Sequence, residues 1–524
     1  MIYLFSNFTD VPKQYFSGYG FSKSNYMSGD FTDDDFEKIN FPRVIDGGDG
    51  CYFSIREEGG VKIAGSDASG LKKVFWYDDG VNWGVSNSIY GLAKHLSDNG
   101  VGIRANPTFL ESFNSPIFTV TDQLSAFKTM YSGIRLLPLG YNLIVGKSGL
   151  TPIRRTVQRV GDYAEALAEA IELWISRFET LLINPDVRLT CDLTGGKDSR
   201  VVFALLQKAR ERLGKDVAAD VVIYSDSTPR QAADHAVAKS LTERFGMELN
   251  QNSQPTSNTR LTGGAVYEIW RNLNIGAYHP IYFPRADNSP FRIKLHGGGG
   301  ETLRKFYAFK DFSSFSAKAL ENPGRHDLSG WIDAVEQSYA FMTAENPNVD
   351  PWILHYRNFR NRFQVGLFPQ YFTTIEPFNT EIFCILSEFE GKVAESQIHF
   401  DIMESLYPGL CLHPYDDPRK APSERALKNI TKVPVSNSSA PGNCYFSHGV
   451  PYNSEVQSNI APFEHLRDDF EKARRFGVEG LMPQIFADAD AVLQKATEAK
   501  RFAHAFDARP VSRVLSMYFA HSLG

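Results

Sequence analysis

In LTCDLTGGKDSRVVFALL, residues 189–206, an apolar and β-branched run enters a small polar turn and leaves through apolar residues at helical spacing. Within that turn, Gly195 and Gly196 let the backbone bend tightly with its N–H groups pointing inward, and Ser199 begins a helix whose N-terminus carries partial positive charge. Thr194 and Ser199 add hydroxyl donors. Asp198 is unsuited to bare phosphate but well suited to a magnesium ion that bridges phosphates. The anion expected in this turn is pyrophosphate. The spacing is neither GxxxxGK[ST] nor GxGxxG, and the plain alternative is a Gly-Gly turn that only connects strand to helix.

A second glycine stretch, FRIKLHGGGGETLRKFY, follows at residues 291–307 and again leaves an apolar segment. Gly297 to Gly300 would bring backbone close to a nucleotide, and Glu301 would offer a second carboxylate to magnesium; a flexible surface loop is the plain alternative. Arg200, directly after the first turn, either reaches an anion or faces solvent. RNFRNRF, residues 357–363, either holds a carboxylate-bearing substrate or forms a salt-bridged helix face.

The elements that must position these residues change character along the chain. Residues 1 to about 150 carry Gly, Asp and Asn clusters every 8 to 12 residues, as in RVIDGGDGCYFSIREEGG, and read as short strands, with a boundary near residue 155. From Asp162 to Leu182, one helical stripe joins Leu167, Ala170, Ile171, Trp174, Phe178 and Leu181. Strand-like VRLTCDL, DVVIYSD and MELNQ then alternate with helix-like SRVVFALLQKARERLG and RQAADHAVAKSLTERFG, the latter stopped by Gly246. Such units predict a parallel sheet covered by helices. Beyond residue 310 the chain reads as mainly helical, with polar loops at 413–424 and 433–453.

Length and composition bound the function classes. The 524 residues predict two domains or one with large extensions, and 42% hydrophobic with 22% charged residues is the profile of a folded globular protein. A net charge of −6 gives no general pull towards nucleic acid or an anionic membrane, so small molecules are the expected partners. The five cysteines are scattered without CxxC pairs, which argues against a disulfide framework or a zinc site. Together with the absence of a leader-like start or a long apolar run, they make the expected location cytoplasmic.

Across most of its length the chain resembles the asparagine synthetase superfamily, which includes β-lactam synthetases and lasso-peptide cyclases. DLTGGKDSR resembles that family's SGGxDS loop with Thr194 for the first Ser, and HGGGGETLRKFY resembles its SGxGxDE segment with Glu301 for the Asp and Thr302 for the Glu. GIRLLPLGYNLIV, NWGVSNSIYGLAKHL and TTIEPFNTEIF (residues 373–383) are similar to further ordered segments. The resemblance implies an α/β protein with two parts. Residues 1–155 would form an N-terminal-nucleophile, glutaminase-like α/β sandwich. Residues 156–524 would form an ATP-pyrophosphatase domain with a parallel sheet flanked by helices.

It further implies an ATP-dependent, AMP-forming carbon–nitrogen ligase that adenylates a carboxylate for attack by an amine, in specialised metabolite, peptide or glycan biosynthesis. ATP and Mg2+ would meet Thr194, Gly195, Gly196, Asp198, Ser199, Gly297 and Gly298, with Asp198 and Glu301 on the metal and Tyr224 and Ser225 at the adenine. Lys432 in NITKVPVSNSS, or its rival Lys420 in DPRKAPSE, would stabilise charge during the reaction. Ile2 stands where glutaminases of the family have cysteine and Cys51 is internal, so glutamine hydrolysis is not expected. Gly298 stands where amide formers carry Glu and lactam formers Tyr, so the proton must leave the amine to another residue, the substrate or solvent. Ammonia-dependent asparagine synthesis and a catalytically silent nucleotide-binding homologue are the alternatives. Neither nucleic acid nor membrane is an expected partner, and a homodimer is compatible with the family.

Overall fold

The computed structural model describes residues 2–38, 48–115, 118–147, 149–156, 161–250, 263–283, 290–320, 327–447, 462–499 and 502–523. Parts of two segments read above, residues 43–47 and 448–453, lie outside them, as does Gln251.

The first 155 residues are strand-rich, as their turn spacing predicts. The strands are β1 (Leu4–Ser6), β2 (Tyr15–Ser22), β3 (Asn25–Phe31), β4 (Asp49–Glu58), β5 (Val61–Ser66), β6 (Phe75–Asp78), β7 (Trp83–Ser86), β8 (Arg135–Leu136), β9 (Tyr141–Val145) and β10 (Leu150–Arg154). A four-stranded antiparallel sheet runs β1-β7-β6-β8. A second sheet runs β10-β9-β5-β4-β2-β3, and its last neighbour comes from far along the chain.

The third sheet contains β11 (Arg188–Asp192), β12 (Asp220–Tyr224), β13 (Arg292–Leu295) and β14 (Thr374–Ile375) in the order β12-β11-β13-β14. Every neighbouring pair is parallel. The chain is therefore a mixed α/β protein with a parallel sheet flanked by helices. The helix Lys197–Leu213 follows β11, Ala232–Arg244 follows β12, and Gly246 ends the latter in the left-handed region at φ +63°. MELNQ does not form a strand: its described residues contribute only an isolated parallel bridge from Leu249 to Ile223. Asn250 there has φ +57°, a left-handed conformation that asparagine visits more readily than most residues.

The helix Tyr163–Leu182 buries the stripe read from its sequence, Leu167, Ala170, Ile171, Trp174, Phe178 and Leu181. Its start is set by a capping box, with the Asp162 side chain accepting from the Glu165 N–H and Glu165 reaching back to the Asp162 N–H. The apolar face unites Tyr19, Phe21 and Cys51 of the second sheet with Leu189 and Cys191 of the parallel sheet in one core. A larger core joins the helix Ile89–Asp98 to the helices Gly263–Asn274, Pro462–Phe476 and Arg509–His521. Finally β15 (Cys444–Phe446) pairs parallel with β3 and completes the second sheet as its seventh strand. Side chains on both sides of residue 155 thus share cores and one sheet. Among the described residues no helix is long and apolar enough to cross a membrane.

RNFRNRF is neither a substrate surface nor a salt-bridged face. Arg357, Arg360 and Arg362 are all buried on a π-helical turn (Arg357–Asn361) and the residue that follows it. Each guanidinium donates to at least one backbone carbonyl, with Ser387 Oγ and Gln123 Oε1 as further acceptors for Arg357 and Arg360. Arg357 donates to the Thr302 carbonyl, Arg360 to that of Thr119, and Arg362 to those of Gly70 and Leu137 at 3.0 and 2.9 Å. Burial lowers the Arg362 guanidinium to about 10, against the opposing charge of Asp67. Truncation to Ala would leave two buried carbonyls unpaired beside a void. Arg362→Ala is therefore expected to lose on the order of 3 kcal/mol or more, read by urea unfolding. A loss under about 0.5 kcal/mol, the range of an ordinary surface change, would mean that this cross-link is dispensable.

Candidate functional site

Both glycine segments emerge from the C-terminal ends of adjacent parallel strands, β11 and β13, where open α/β sheets characteristically receive ligands. Between them lies a cavity of ≈ 410 Å³. One end is polar, lined by Thr194, Asp198, Ser199, Ser225, Gly297, Gly298, Glu301 and Glu376. The other is apolar, with Phe306, Tyr356, Val365 and Phe368. Phe306 and Tyr356 pack with ring centroids 4.9 Å apart, and the Arg360 guanidinium lies 5.0 Å from the Phe306 centroid.

The first turn is held by its own side chains. The Thr194 and Ser199 hydroxyls lie 2.9 Å apart, the Thr194 N–H donates to Ser199 Oγ, and the Gly196 N–H donates to Thr194 Oγ1. The Gly195 N–H donates to the carboxylate of Asp234 at 2.8 Å, so this amide already engages an anionic oxygen. Gly195 is required sterically, because a Cβ there would lie 2.5 Å from the Cβ of Asp416.

The second segment is no surface loop: Gly298, Gly299 and Gly300 are buried. Its glycines approach protein as closely as sequence reading expected them to approach a nucleotide. A Cβ on Gly297 would lie 2.7 Å from the Ser199 amide nitrogen, one on Gly298 2.5 Å from Glu376 Oε1, and one on Gly300 2.3 Å from Asp198 Oδ1. Gly299 has φ +83°, a conformation that any other residue adopts at a cost.

Asp198 sits at the centre of this contact. Its Oδ1 is 2.7 Å from Nε2 of the fully buried His399, and its Oδ2 is 3.2 Å from Arg304 Nη2. Burial acts to raise the carboxyl, but His399, Arg304 and Lys197 outweigh it and hold it below the usual aspartate range. Glu301 lines the cavity with its Oε1 3.1 Å from the same Arg304 nitrogen.

Glu376, in the TTIEPFNTEIF segment, faces the same space. Its Oε2 accepts from Asn379 Nδ2 at 2.7 Å, and Asn379 is itself held by Asn361 at 2.8 Å. Its Oε1 is buried without a hydrogen-bond partner. His296 Nδ1 is 3.6 Å away, beyond hydrogen-bond length, and instead accepts the Gly298 N–H at 3.0 Å. Burial pushes the Glu376 carboxyl above its usual value, with His296 and Asn379 opposing.

The remaining residues fall in different places. Tyr224 and Ser225 line the cavity, but their backbone is largely occupied. The Tyr224 carbonyl accepts from Leu193, while the side-chain amide of Asn250 pairs with both the N–H and the carbonyl of Ser225. Only the buried Ser225 Oγ is unpartnered. Lys432 is absent from the cavity lining and lies 3.1 Å from Glu404. Lys420 pairs with Asp416 at 2.5 Å, against Gly195. Arg200 neither reaches the cavity nor faces solvent. It is fully buried, donating to the carbonyls of His413 and Pro414 and stacking 3.7 Å over the ring of Tyr415.

The sequence marks the glycine turns, Asp198 and Glu301 as site residues, but not Arg304, Glu376 or His399. Arg304 and Glu376 stand inside segments already quoted. His399 leaves no signal, because nothing in Gln397–Leu406 says which face meets the turn.

The glycine contacts are directly testable. Gly297→Ala should destabilise the protein by about 1–3 kcal/mol, because the clash is with backbone that cannot rotate away. Gly480→Ala, where a Cβ meets nothing within 4 Å, should change stability by no more than about 0.5 kcal/mol. Thermal unfolding of the two variants side by side decides it; equal midpoints would refute the packing argument. Compared with protein-family models and with curated proteins, the sequence matches none, so the functional reading rests on this cavity and on the motifs around it.

Proposed function

We propose that this protein is an ATP-dependent, AMP-forming ligase that activates a carboxylate as its adenylate and joins it to an amine, with pyrophosphate as the other product. The observation that carries the reading is the meeting of the two glycine turns at the ends of β11 and β13. They enclose a cavity lined by Ser225 and Glu376, whose Oγ and Oε1 oxygens are buried without hydrogen-bond partners. Buried polar atoms without partners are costly in a folded protein, and a polar ligand relieves that cost. The agreement of these turns with the SGGxDS and SGxGxDE patterns supports an asparagine synthetase-like ancestry.

Within this reading, the Thr194–Ser199 turn and the N-terminus of Lys197–Leu213 take the phosphates. Lys420 is better placed than Lys432 to answer charge developing there. Glu376 answers the question raised by Gly298. A carboxylate from the neighbouring strand end approaches the space a residue 298 side chain would use, with one oxygen fixed by Asn379 and the other free. A raised pKa suits a group that takes a proton from an amine. The apolar end favours an acid or amine with an aliphatic or aromatic body. Cys51 lies buried in β4, accepts from Gln370 Nε2, and is pushed up to about 12 by burial, which leaves it a thiol and supports a ligase without glutamine hydrolysis. Glutamate release from glutamine is therefore expected to stay at the level of a Cys51→Ala control.

The test is ATP–pyrophosphate exchange against pooled amino acids, peptides and uronic acids. Exchange is expected with one pool and should vanish in Asp198→Ala. Glu376→Gln should keep the exchange but lose amide formation by about a hundredfold or more. Because Glu376 must be deprotonated to act and burial raises its pKa, amide formation should rise with pH through a midpoint above that of an ordinary glutamate. Failure to bind ATP at all would overturn the ligase reading in favour of a structural role.

A further inference from the structure

The two carboxylates that a divalent ion would need are already joined by a protein cation. Arg304 follows the short turn Gly300–Leu303 and puts one nitrogen, Nη2, 3.1 Å from Glu301 Oε1 and 3.2 Å from Asp198 Oδ2. His399 Nε2 lies 2.7 Å from the other Asp198 oxygen, and Gly300 packs closely against the same carboxylate. Magnesium takes a near-octahedral set of oxygens at about 2.0–2.1 Å. Such an ion is usually held by one or two carboxylates with water and substrate phosphates; among the described residues no larger cluster of His, Cys, Asp or Glu gathers, so it would depend on Asp198 and Glu301. An ion between Asp198 and Glu301 would have to expel the guanidinium that now neutralises both. The donors present therefore do not fit a resident ion, contrary to what the family resemblance implies.

We propose that Arg304 takes the place of a protein-bound metal ion at this end of the cavity, so that a polyphosphate anion is held there by protein cations alone. The inference rests on the nucleotide reading of the cavity. The charges around the turn support it. Lys197 lies within range of Arg304, Asp198 and Lys420, and Lys420 pairs with Asp416. Lys197, Lys420 and Arg304 offset Asp198, Glu301 and Asp416, while Asp234 adds a fourth carboxylate at the Gly195 N–H. Guanidinium suits the role, since its charge persists across the physiological range and its donors match phosphate oxygens.

The experiment needs no knowledge of the organic substrate. Manganese(II) alone is titrated into the full-length protein and followed by electron paramagnetic resonance, and inorganic pyrophosphate binding is measured by calorimetry in EDTA and in magnesium. The wild type should take up no manganese and should bind pyrophosphate in EDTA within about threefold of its affinity in magnesium. Arg304→Ala should weaken metal-free pyrophosphate binding about tenfold or more and expose a manganese site at the freed carboxylates, with Arg304→Lys between the two. If the alanine variant fails to fold, the lysine variant and the wild-type titrations still decide. A wild-type manganese site that Asp198→Asn removes, or pyrophosphate binding only with magnesium, overturns the inference and leaves the nucleotide reading standing. No pyrophosphate binding under either condition overturns both.

Discussion

The site depends on how closely the backbone of residues 297–300 approaches the first turn of Lys197–Leu213. Gly297 lies against the Ser199 amide and Gly300 against the Asp198 carboxylate, distances that no side chain tolerates. This contact brings the ends of β11 and β13 together and leaves the cavity to one side. It also presses Asp198 against His399 and brings Arg304 within reach, because a half-buried carboxylate needs compensating charge. The geometry of the polar end follows from where glycine permits backbone to go.

A second constraint holds that end against the rest of the molecule. Tyr19 of the first part donates to the Thr374 carbonyl, Lys73 to that of Gly366, and Arg177 pairs with Asp49 at 2.7 Å. Burial lowers Lys73 to about 7, so this contact is made by an amine whose charge is marginal near neutrality. Glu376 stands one residue beyond β14, which ends at Ile375, and the Tyr19 contact is made to Thr374 in that strand. The first 155 residues therefore position a cavity group without lining the cavity themselves.

Under the proposed ligase reading, the chain departs from the asparagine synthetase-like pattern in a coherent way. Gly298 removes one carboxylate from the turn, and Glu376 brings another from the adjacent strand end into the space released. Glu301 and Asp198 remain as a carboxylate pair, but Arg304 lies across them. Each substitution makes sense only with the residue that faces it.

Local sequence patterns already carry the strand-rich first part, the capped helix Tyr163–Leu182 with its buried stripe, the alternation that builds a parallel sheet, and the two glycine turns. These are local properties: periodicity, capping and backbone freedom act over a few residues, and the polypeptide displays them directly. Tertiary structure alone decided the rest. RNFRNRF reads as a charged surface because arginine usually seeks water, yet its guanidinia are buried against carbonyls supplied by segments more than fifty to nearly three hundred residues away in the chain. His399, Arg304 and Glu376 converge on Asp198 and Gly298 through contacts between distant segments or neighbouring strand ends. No spacing encodes those meetings, since packing rather than local propensity brings the partners within a hydrogen-bond length.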